Sequence, residues 1–144
     1  MKILYSVLAI CFLFLGCQEK EPKKVAKAKK VYDLYQPSEM ALLMDSMYKY
    51  NMQLKEEIMK GKIPEHMPME FLKIHSAEFT KGKSRNETFN SFSKLFLQQQ
   101  ETIYDTTSTL SVSDRFNATV NVCVACHTTE CTGPIPKINK LLIK

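Results

Sequence analysis

Glycine is scarce in this chain: four in 144 residues, at positions 16, 61, 82 and 133. That scarcity leaves no glycine-rich loop able to cradle a phosphate. Alternation of apolar and polar residues is nearly absent, which argues against sheet architectures. No paired carboxylates in acid–base spacing and no nucleophile triad can be picked out, so enzymatic chemistry is not expected. The longest apolar run, Ile3 to Leu15, is shorter than the about 20 residues a membrane-spanning helix needs. After residue 69 there is no methionine; all eight lie at or before that point. What remains is 44% apolar residues with 10% aromatics, enough for one modest core in a single domain.

The beginning, MKILYSVLAICFLFLGC, has a positive Lys2, the apolar run, and then Gly16 before Cys17. It resembles a bacterial lipoprotein signal: residues 1–16 would be removed, and Cys17 would become the lipid-bearing N-terminus. Residues 17–34 then form a lysine-rich linker, within which Gln18 to Lys30 holds six lysines against two glutamates. From Val31 onward there are 13 basic and 13 acidic residues, so the formal charge of +5 comes from the linker, at +4, and Lys2 of the signal. Such a segment reads as a solvated spacer, and beside a membrane each lysine adds up to about 1 kcal/mol of adhesion to anionic head groups. Nucleic acid is not an expected partner of an exported protein.

From Tyr35 the periodicity is helical. Ser38 caps a first block that ends at Gly61, with the stripe Met40, Leu43/Met44, Met47, Asn51, Leu54, Ile58 stepping by three and four. Pro64 and Pro68 break the chain before a shorter amphipathic block carrying Phe71, Ile74 and Phe79, which ends near Gly82. Ser84-Arg-Asn-Glu87 has capping-box spacing and opens a third block with Phe89, Phe92, Phe96, Gln100 and Ile103. A fourth runs from about Ser113 to Glu130. Four amphipathic helices with short connections bury their stripes by packing together, so the expectation is an all-α, antiparallel four-helix bundle over residues 35–131. Residues 132–144 form a short C-terminal extension, an irregular turn at Gly133-Pro134 followed by a short terminal helix.

The chemistry is concentrated in NVCVACHTTECTG, residues 121–133. With Cys11 in the signal and Cys17 acylated, only Cys123, Cys126 and Cys131 are left, and three cannot complete a disulfide framework. A zinc site could recruit all three and His127. Adjacent Cys126 and His127 point apart on a helix, however, and a redox pair prefers a helix N-terminus. Cys123-Val-Ala-Cys126-His127 is the attachment pattern for one covalent haem c: two thiols join the vinyl groups and His127 ligates the iron. Extended backward, the row Phe116, Val120, Cys123, His127 places the imidazole on the buried stripe, pointing into the bundle. Cys131 is left as an odd thiol, buried or paired between two molecules in a homodimer.

A haem motif near the end of a fourth helix resembles the class II cytochromes c, the cytochrome c-prime group. The resemblance rests on CVACH and the helix order over about Pro37 to Glu130. It implies haem held in a four-helix bundle, with a first-helix methionine as sixth ligand in electron carriers and an open iron in gas-binding members. With the first and last helices antiparallel, Met44 and Met40 are the candidates on the distal side, Met44 favoured. His75 is a weaker distal candidate and His66 has no assigned role. Phe89, Phe92, Phe96 and Phe116 are expected to pack on one another and on the porphyrin. The function implied is electron transport on the periplasmic side of a membrane, lipid-anchored, with redox proteins or membrane electron-transfer complexes as partners. The alternative is a five-coordinate haem protein that binds small gases.

Overall fold

A computed structural model describes residues 36–62 and 65–144; the signal, Cys17 and the linker lie outside the described residues. The described chain is all-α, without a strand. Helix α1 spans Glu39–Met59, a 3₁₀ helix Met69–His75, α2 Glu87–Thr102, α3 Val112–Glu130 and α4 Ile135–Ile138, followed by a 3₁₀ turn at Asn139–Leu141. No helix among the described residues is long and apolar enough to cross a membrane.

Helix α1 begins where expected. Ser38 Oγ accepts the Ala41 N–H at 3.2 Å, and Glu39 sits at the positive end of the helix dipole. Met40, Leu43, Met47, Asn51, Leu54 and Ile58 are buried at the expected three-four spacing. Gly61 takes a φ of 72°, conformational space that side chains resist, and turns the chain away.

The second block differs from expectation: it coils as a 3₁₀ helix. Phe71 and Ile74 are buried three residues apart, which matches three residues per turn, and Ala77 is buried just beyond the end of the helix. The third block opens later than expected. Its cap is Asn86, whose Oδ1 accepts the Phe89 N–H at 2.7 Å, while Ser84 is exposed. Asn86 also donates to both carboxylate oxygens of Glu130 at 3.2 Å, a tertiary tie that Ser84 lacks. Phe92 is only half-buried, and Ser93 occupies the core in its place. Helix α3 opens slightly earlier than expected, with Ser111 Oγ accepting the Asp114 N–H at 3.1 Å.

Cross-helix bonds give the directions. Thr119 Oγ1 donates to Gln99 O at 3.0 Å and Arg115 to Thr102 O at 2.6 Å, while Asn86 meets Glu130, so α2 and α3 are antiparallel. Helix α1 runs in step with α2: Met40 shares a core cluster with Phe89, and Leu54 and Ile58 share another with Ile103. Between α1 and α2 the chain returns, and Met40 N–H donates to Glu78 O at 2.9 Å. The start of α1, the start of α2 and the end of α3 therefore gather at one end of the protein.

The C-terminal extension is part of the core. Ile138 and Leu141 are buried with Phe116 and Val120. Lys55 Nζ donates to the carbonyls of Lys140 at 2.9 Å and Leu142 at 2.7 Å, and the Asn117 amide exchanges two 2.9 Å bonds with the backbone of Ile143.

Candidate functional site

The last two turns of α3 carry Cys123, Cys126 and His127. Both thiols are free and half-buried. Cys123 packs against both core clusters, and burial pushes its thiol up to about 12. Cys126 is pushed up to about 11, first by burial and then by the nearby Glu130 carboxylate. Neutral thiols of this kind are poor nucleophiles, which argues against a resting redox pair.

His127 is half-buried. Its Nδ1 lies 2.9 Å from Cys131 O. A carbonyl only accepts, so Nδ1 carries a proton, and in the neutral ring Nε2 then has the lone pair with which imidazole ligates a metal. In return Cys131 N–H donates to His127 O at 3.1 Å. The backbone of Cys131 thus orients the ring, while its exposed thiol makes no such contribution; the structure gives no account of the thiol itself. The row leading to the imidazole is deeply buried only in its first half. Phe116 is 0% and Val120 2% exposed, but Cys123 and His127 emerge half-buried as the helix outruns the packed core. The ring stands at the edge of the core, in contrast to the expected enclosure within it.

Met40 is buried with Met47, Phe89 and Phe96. Met44 is half-buried and packs on that same cluster, as do Val122 and Cys123 from α3. Both candidate distal methionines therefore share an end of the protein with the cysteines, and Met44 keeps the freer side chain. Two residues at this end carried no sequence signal: Met67, buried in the same cluster from the connecting segment, and Arg85, discussed below. His66 and His75 are exposed, so His75 is not placed as a distal ligand.

The donor set suits a haem c: two free thiols three residues apart on a helix and an imidazole with an unprotonated nitrogen immediately after them. Among the described residues no three His, Cys, Asp or Glu side chains converge as a metal site. Two open hollows, one along α2 at Phe92 and Leu95 and one between α1 and Glu70, do not include Cys123, Cys126 or His127. Comparison of the chain with family models, with curated proteins and with solved structures finds no match.

Proposed function

We propose that this chain is an exported, lipid-anchored cytochrome with one covalent haem c, carrying electrons on the periplasmic side of a membrane. The observation that carries the reading is the end of α3, where two free thiols precede an imidazole whose Nδ1 is committed to Cys131. Bound there, haem supplies a one-electron ferric–ferrous couple. Cys123 and Cys126 would hold it through thioether bonds, and His127 would ligate the iron through Nε2. Met44 would supply a thioether ligand as well, which favours the reduced state. Met40 and Phe89 keep that side apolar.

In its finer form the fold is a four-membered antiparallel bundle whose second member is the return segment containing the 3₁₀ helix. Cys17 anchors the mature chain, and the lysine-rich linker lets the domain reach redox proteins or membrane electron-transfer complexes. Exposed Cys131 offers a route to a disulfide-linked homodimer. A second reading has its own support: Met40 and Met47 are buried as core residues. Should Met44 also be packing alone, the iron is five-coordinate and open to small gases.

The test is to produce the full chain in a host competent for cytochrome c maturation and to apply a pyridine haemochrome assay with intact-mass measurement. One covalent haem per chain is expected, and a colourless, haem-free product refutes the proposal. The ferric spectrum then separates the readings: a low-spin haem with a weak thioether-to-iron band marks the carrier, and a high-spin haem the gas binder.

A further inference from the structure

Arg85 is half-buried, and no carboxylate among the described residues forms an ion pair with it. Its guanidinium carbon lies 5.0 Å from the ring centre of Phe79 and 6.0 Å from that of Phe89. One terminal nitrogen donates to the carbonyls of Ala77 and Ile74, while the buried Nε has no partner. Among the described residues the ion pairs are those of Asp45 with Lys49 and Lys137, far along the chain from Arg85. A guanidinium drawn out of water with an unfilled donor is costly unless an acceptor completes it.

The location identifies the acceptor. Phe79 stacks edge-on against Phe89 at 4.9 Å, and Phe89 lies in the cluster on which Met40 belongs and against which Met44 and Cys123 pack. Arg85 therefore belongs to the same end of the protein as the haem-attachment residues. A haem brings two propionate carboxylates, and a planar guanidinium is the side chain best shaped to bind a carboxylate through paired donors. Resting on the haem reading above, we propose that Arg85 is the positioning residue that binds a haem propionate, with the terminal nitrogen not engaged by Ala77 and Ile74 directed to the carboxylate and the two aromatic rings holding the guanidinium in place.

The experiment uses the haem-loaded full chain with Arg85→Lys and Arg85→Met. The propionate bending mode in the resonance Raman spectrum is expected to move in both variants, because neither offers paired donors. A cation beside the haem favours the ferrous state. At a fixed applied potential the ferrous-to-ferric ratio should therefore fall about tenfold in Arg85→Met and stay near wild type in Arg85→Lys. A merely structural role, pinning the Ile74–Ala77 carbonyls, lowers the melting temperature but leaves the Raman mode in place, and that result overturns the proposal. If Arg85→Met yields no haem-loaded protein, an unmoved mode in Arg85→Lys overturns it equally. Failure of the wild-type chain to bind haem removes the functional reading itself, whereas a haem indifferent to Arg85 removes only this inference.

Discussion

Asn86 and Glu130 tie the first turn of α2 to the last residue of α3. The Asn86 amide nitrogen is 3.2 Å from each Glu130 carboxylate oxygen, while its own oxygen caps α2 through the Phe89 N–H at 2.7 Å. One short side chain thus performs a local and a tertiary task at the helix end that carries Cys126 and His127. Asn86→Ser keeps the cap and loses the tie; Asn86→Ala loses both. The alanine variant should be about 1 kcal/mol less stable than wild type in urea unfolding, with the serine variant between them.

The two candidate methionines should separate cleanly. Met44→Ala in the haem-loaded protein is expected to convert the ferric haem from low to high spin and to open the ferrous iron to carbon monoxide. Met40 is 6% exposed within the core, so Met40→Ala should leave the spectrum unchanged and cost about 2–5 kcal/mol of stability. Spectra and denaturation curves of both variants decide the matter. A high-spin spectrum in wild type that Met44→Ala leaves unaltered moves the assignment to the five-coordinate reading, and a low-spin spectrum that persists means that another side chain ligates the iron.

Much of α1 was legible because everything that defines it is local. Ser38 precedes a regular stripe, and all six stripe positions are buried as the periodicity requires. The presence of cysteines and histidine on the last long helix was legible for the same reason. The 3₁₀ helix was not, since Phe71 and Ile74 lie three apart in either helix type and the local pattern does not separate the two. The α2 cap was misread because Ser84 satisfies a local pattern, whereas Asn86 also binds a residue 44 positions away. Arg115 gave no signal as a core residue. It is buried because it donates to the carbonyls of Thr102 and Asp105 just past α2, an arrangement that exists only once the helices are paired.

The C-terminal extension read as an appendage because its anchors lie elsewhere in the chain. Asn117 on α3 supplies both bonds to Ile143. Asn117→Ala is expected to cost about 1–2 kcal/mol, since it leaves a backbone N–H and C=O without their partners. Limited carboxypeptidase digestion should then remove the last residues faster than in wild type. Equal rates would mean that Ile138 and Leu141 hold the segment without Asn117.

The raised thiol values of Cys123 and Cys126 give the haem-free protein a defined alkaline weakness. Both groups are neutral below their ordinary value of 9.0, in the folded and unfolded chain alike, so they do not affect stability there. As the pH rises past 9.0 the unfolded thiols ionise while the folded ones resist, up to about 11 for Cys126 and about 12 for Cys123. Protons are then bound more tightly by the folded state, and stability falls across that window. Tyr50, raised by burial and by its hydrogen bond to Tyr104, adds a loss of the same sign beginning near its ordinary value of 10.0. Thioether formation removes both thiol titrations. Urea unfolding of haem-free and haem-loaded protein between pH 8 and 11 should therefore show a steeper alkaline decline in the haem-free form, a difference that Cys123→Ala reduces in the haem-free chain. Parallel declines would show that the two thiols are not buried as described.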